Sequence, residues 1–170
     1  YLRVMVVVAV LNLELFRIAW KALLAALVVS GLYGFYLYVR HQLRPQEGAK
    51  VFKNPFELGP AITFGLLYAV ILLAAHTAQL FFGNAGVYIS SVVSGLVDVD
   101  AITISVSKLS GEGSGLDLVV ASRAVVFAAA SNTLVKGGIV FSTASPQVRK
   151  LVFPGMVLTL VTAVATVLLI

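Results

Sequence analysis

Residues Ser90 to Ser110, SSVVSGLVDVDAITISVSKLS, place Asp98 and Asp100 inside an apolar stretch about as long as a bilayer is thick. A carboxylate at that depth is costly unless it faces a cavity, a counter-charge or an ion. In a straight helix positions 98 and 100 point about 200° apart, so one site can use both only if the helix breaks. Gly95 offers such a break, and Leu96, Val97, Asp98, Val99 and Asp100 alternate as an extended segment would. The expectation is one helix interrupted near Gly95 to Asp100, with two half-helices around a short unwound turn. Transporters build ion sites from such interruptions, where irregular backbone lines a cavity or is buried in protein. The plainer reading is a continuous helix with Asp98 paired to a basic residue and Asp100 hydrogen-bonded nearby.

The rest of the chain sets that stretch in lipid. Of 170 residues, 60% are hydrophobic and 11% charged, and the mean hydropathy is +1.03. An all-α, polytopic transmembrane bundle is expected, as a single domain over 1–170 with about six membrane segments. By apolar run length these fall at about 1–19, 22–39, 55–82, 87–109, 118–141 and 151–170. Twelve basic against seven acidic residues give a net charge of +5, and the basic ones fall mainly in loops, as topology signals do. That placement points away from nucleic acid and towards the lipid bilayer as partner. Aromatics in Tyr33 to Tyr38 and Phe81 to Tyr88 suit interfacial belts. Cysteine is absent, which removes disulfides, thiolate metal sites and cysteine nucleophiles. The opening residues already read as a membrane helix, so the chain is expected to be part of a longer one.

Several boundaries have local causes. Asn54 and Pro55 suit an N-cap and first helical position, with Glu57 in the first turn. The segment from Arg40 to Lys53 is the principal hydrophilic loop and is assigned to the cytoplasm by its density of positive charge. Gly83, Asn84 and Gly86 predict a tight turn, Ser110 to Gly115 a loop, and Asp117 a helix cap. His76 stands alone in its span, so a hydrogen bond to a neighbouring helix fits better than a metal site, which needs several ligands. Arg123 is expected to snorkel. On the following span Asn132, Thr133 and Lys136 share a face, and Lys136 is expected to pair with Asp98 or Asp100. A faint repeat also relates Arg3, Arg17 and the next span to Lys136, Arg149, Lys150 and the last span.

Three segments carry a family likeness: KNPFEL at Lys53 to Leu58, SGLVDVDAITIS at Ser94 to Ser105 and SNTLVK at Ser131 to Lys136. Together they resemble the membrane domain of unknown function found C-terminal to the MgtC/SapB domain of prokaryotic membrane proteins. The resemblance implies a multi-pass protein of the prokaryotic plasma (inner) membrane, with a MgtC/SapB-like domain upstream. It marks Asp98, Asp100, Asn132 and Lys136 as signature positions and settles no activity.

The favoured function is movement of a small cation, through a channel or carrier. Asp98 and Asp100 would bind the cation as a metal or exchange protons for it. Ser94, Thr103, Asn132 and backbone carbonyls would supply further oxygens, which hard cations prefer. Lys136 would compete for the aspartates when the site is empty. The alternative is a non-transporting regulator or assembly subunit whose buried charges are structural. No serine, histidine and carboxylate grouping suggests an enzyme. A bundle this small encloses little alone, which makes a homodimer an expectation.

Overall fold

Three helices in this chain start where a side chain offers the backbone a partner. A computed structural model of the protein describes residues 1–41, 58–111 and 115–169. The described residues form α1 (Leu2–Leu11), α2 (Leu13–His41), α3 (Leu58–Val97), α4 (Val99–Leu109), α5 (Leu118–Thr143) and α6 (Pro146–Leu168). Asn12 separates α1 from α2 in extended conformation (φ −151°, ψ 98°), and its Oδ1 accepts the amide of Leu15 at 3.0 Å. Asp98 does the same between α3 and α4 (φ −151°, ψ 124°). Asp117 caps α5 as expected, its Oδ1 accepting the amides of Val119 and Val120 at 2.8 and 3.1 Å.

These stops revise the expected spans. Among the described residues four stretches are long and apolar enough to cross a membrane: Leu13–Arg40, Leu80–Val97, Leu118–Ser142 and Pro146–Leu168. About six is not confirmed. Neither α1, with 10 residues, nor α4, with 11, is that long. At 1.5 Å per residue each covers roughly 15 to 17 Å, half of a hydrocarbon core of about 30 Å. The first break falls at Asn12 and not between 19 and 22, because the asparagine caps the next helix there. Gly83, with a positive φ (56°) and ψ of −138°, breaks the helical backbone within α3 and divides it into two helical stretches where the turn was expected. The expected cap at Asn54 and Pro55 and the loop from 42 to 53 lie outside the described residues.

Cross-helix contacts fix the directions. Tyr88 meets Phe127 edge-on, Ser131 Oγ donates to the Val92 carbonyl at 2.7 Å, and Asn132 Nδ2 donates to the Gly95 carbonyl at 3.2 Å. The end of α3 therefore climbs beside α5 in the same direction. After Asp98 the chain returns, because α4 ends at Ser110, a short loop before α5 begins. The two helices form a hairpin with Asp98 at its tip. Asn132 is level with Gly95, and Asp98 lies three residues further in the same direction, so the tip stands about 26 Å from the start of α5 and about 12 Å from its end. The tip thus lies within the second half of a membrane-crossing helix.

The seating is close. A Cβ on Gly95 would lie 2.5 Å from the Ala128 carbonyl oxygen and 2.8 Å from its Cα, so only glycine lets α3 approach α5 this far. Ala121, Ala124 and Ala128 are fully buried along α5. Small residues at such contacts are how helices associate in lipid, where apolar burial gives no drive of its own. Outward, Phe81, Phe82, Val97, Val161 and Leu168 are exposed, as lipid-facing side chains should be.

Candidate functional site

The tip is organised by one carboxylate. Asp98 Oδ1 accepts the amide of Asp100 at 3.2 Å and Oδ2 that of Ala101 at 3.1 Å, satisfying two donors at the start of α4. In an unbroken helix those amides would bond the carbonyls of Leu96 and Val97. By taking them, Asp98 releases both carbonyl oxygens from their helical partners. The Ser94 carbonyl still receives the Asp98 amide at 2.8 Å, and the Gly95 carbonyl is held by Asn132.

Asp100 points elsewhere. It is 4% exposed, and the guanidinium of Arg3, on α1, forms an ion pair with its Oδ2. Oδ1 accepts no hydrogen bond among the described residues, while Arg3 occupies Oδ2, so Asp100 is charge-compensated with one oxygen unsatisfied. The Arg3 side chain is 78% exposed, so one partner of this pair is reachable while the other is enclosed. The expected pairing of Lys136 with an aspartate is corrected here. Lys136 is exposed and acts on Asp100 electrostatically without an ion-pair contact, because the ion-pair position belongs to Arg3.

Asp100, Thr103, Ser107 and Ser110 recur at intervals of three, four and three on α4, a single helical stripe, and all four are buried. The stripe runs beside α1. Arg3 meets its start, and Asn12 Nδ2 donates at its end to the Ser107 carbonyl and Ser110 Oγ, both at 3.2 Å. Hence α1 and α4 lie side by side in the same direction. Thr103 donates to its own Val99 carbonyl at 2.6 Å, and Ser107 Oγ has no partner among the described residues.

The sequence-derived candidates do not form one cluster. Asp98, Ser94 and Asn132 meet at the backbone break, Asp100 turns to Arg3, and Thr103 lies one turn below Asp100. Arg3 and Asn12 complete the geometry although neither was selected. A lone arginine in an apolar run was the available signal, since a buried aspartate needs such a partner. Thr133 serves α1, its hydroxyl lying 3.3 Å from that of Tyr1 and donating to its own Ala129 carbonyl at 2.8 Å. A cavity of about 240 Å³ near that contact is lined by Tyr1, Ser30, Tyr33, Thr133 and Thr159, and by neither aspartate. Arg123 is half-buried, with an enclosed Nε lacking a partner among the described residues, in place of the expected snorkelling. His76 is exposed on α3.

No set of three or more histidine, cysteine, aspartate or glutamate residues that could hold a metal occurs among the described residues. Both Asp98 oxygens are engaged by amides, which leaves Asp100 Oδ1 as the carboxylate oxygen here without a partner among the described residues.

Comparison with known proteins adds a family and no activity. The family described as "Domain of unknown function (DUF4010)" matches residues 1–144. An uncharacterized protein of Aquifex aeolicus (strain VF5) is 38% identical over 109 residues, which are 63% of this chain and 46% of that protein. The chain thus spans under half the length of that relative. No solved structure matches.

Proposed function

The chain belongs to the DUF4010 family, and from that premise we propose that this membrane protein moves protons or a small monovalent cation, exchanged at Asp100. The observation that carries the reading is the buried carboxylate of Asp100, whose Oδ1 is unsatisfied beside the tip of a hairpin that reverses within the length of α5. Arg3 is the resident counter-charge. When the ion or proton arrives, it replaces Arg3 as the neutralising partner, so the pair opens and α1 is freed from the start of α4. Asp98 holds the tip in shape, and the Leu96 and Val97 carbonyls it releases supply neutral oxygens beside the path. The domain acts without enzymatic chemistry. Homodimeric assembly, a plasma-membrane location and an upstream MgtC/SapB-like domain belong to the same proposal.

Thermal unfolding of the purified full-length protein, with sodium, potassium, lithium, magnesium or calcium and across pH, tests it. A ligand held only by the folded state raises stability by about 2.7 kcal/mol at a hundred times its Kd. Selective stabilisation by one monovalent cation or by protonation, lost in Asp100→Asn, is the expected result. Stabilisation by divalent ions alone, or an unchanged response in Asp100→Asn, counts against it.

A second reading has its own observation. Both aspartates already have partners, two amides for Asp98 and Arg3 for Asp100, as expected of a non-transporting subunit pinned by polar contacts. It predicts that Asp100→Asn alters stability equally in every salt and at every pH.

A further inference from the structure

The seven acidic residues of this chain all precede Leu118. From Leu118 onward, α5, its turn and α6 carry Arg123, Lys136, Arg149 and Lys150 and no aspartate or glutamate. Two of these cations have local roles, Lys136 acting on Asp100 and Arg123 being half-buried in the bundle. Arg149 and Lys150 stand together in the first turns of α6, just beyond the α5–α6 turn, with no ion pair among the described residues. At the end of a membrane-crossing helix, such a pair calls for an anion from outside the described fold.

The same place holds an apolar groove. A cavity of about 350 Å³ lies between the ends of α5 and α6, lined by Gly137, Gly138, Phe141, Val152, Phe153 and Met156, with Arg149 on its wall. Arg149 is fixed there. Its guanidinium carbon lies 5.1 Å from the centre of the Phe141 ring, and its Nε donates to the Ala144 carbonyl at 2.8 Å. That contact uses one of five donors, and the two terminal nitrogens remain for a phosphate, which an arginine fork matches. Gly138 leaves the α5 wall open where an acyl chain would lie, while Met156 fills the space over Gly137.

We propose that this groove is a binding site for one anionic phospholipid of the surrounding bilayer, its phosphate held by Arg149 and Lys150 and an acyl chain lying along Gly138, Phe141 and Phe153. Charge complementarity selects this occupant. A zwitterionic lipid brings its own cation to a place already holding two, and a second copy of α5 and α6 brings four more cations and no acid.

Native mass spectrometry of the full-length protein, titrated with dioleoylphosphatidylglycerol or dioleoylphosphatidylcholine, tests the site. The wild type should retain one phosphatidylglycerol with a preference of about tenfold or more, as two basic groups near a membrane surface confer. R149Q/K150Q should abolish the preference. Gly138→Leu should weaken retention of both lipids while leaving the lipid-free thermal transition in place, because a Cβ there meets nothing within 4 Å. Equal retention of the two lipids by the wild type, or a preference that survives both variants, overturns the site. So does a dimer that Gly138→Leu separates without any change in lipid retention, which would give the groove to a second copy.

Discussion

The bundle interrupts its helices with a single extended residue at two places, Asn12 and Asp98. The two turns are built alike, with the same φ and a side-chain oxygen that accepts an amide of the following helix. They differ in depth and in charge. Asn12 is neutral and bonded to the far end of α4, whereas Asp98 is acidic and sits beside the second half of α5. Asn12 caps its turn with one oxygen that accepts one amide, and Asp98 uses both carboxylate oxygens to accept two. An asparagine at 98 would keep one of those bonds and lose the charge. What the acid adds is a second negative group two residues from Asp100, and the ion-exchange reading uses this addition.

The largest way to break the comparison is steric. Gly95→Val should cost about 3 kcal/mol, because the new side chain meets Ala128 backbone, which cannot give way. Thermal unfolding in detergent reads the loss, and crosslinking of cysteines placed at 92 and 131 should show the hairpin leaving α5 while the Asn12 turn persists. Next, Asn12→Ala should cost about 2 kcal/mol, combining a lost cap with two hydrogen bonds to α4, and Asp98→Ala about 1 to 2 kcal/mol by the cap alone. A smaller loss at Asn12 than at Asp98 in the same unfolding assay would reverse that order.

Arg3→Gln should destabilise by about 1 to 2 kcal/mol, leaving Asp100 without its counter-charge, and Asp100→Asn in the same chain should restore most of it. A double-mutant cycle measures this coupling, and additive losses would mean that the pair contributes nothing. The smallest effect sharpens the comparison most. Asp98→Asn should cost about 0.5 to 1 kcal/mol, since asparagine keeps one amide bond of the cap and loses the other. If the charge serves ion exchange, it should still weaken the cation or pH response measured beside it.

Much of the helical layout was legible because apolar run length and capping residues act locally. Asp117, directly before α5, caps it through amides two and three residues on, and the alternation from Leu96 to Asp100 marks a break within that stretch. Gly95 was misread as the break because glycine serves both turns and close approach, and only the position of Ala128 decides which. The count of about six spans is not confirmed, because hydropathy does not register that Asn12 and Asp98 stop helices after half a bilayer. At the site, Arg3 lies 97 positions from Asp100, and no periodicity connects them. Lys136 seemed the natural partner since it shares a face with Asn132, but a shared face does not fix where a long side chain ends.

The fit of Gly95 against Ala128 also has a kinematic side. Together with the bonds from Ser131 and Asn132, it fastens the rising limb of the hairpin to α5, so those two pieces translate as one body. The seam between α1 and α4 is fastened at its ends, by a charge pair and by a single asparagine. Motion that uncovers Asp100 therefore has its hinge at Asn12 and its latch at Arg3, with α5 as the stationary frame.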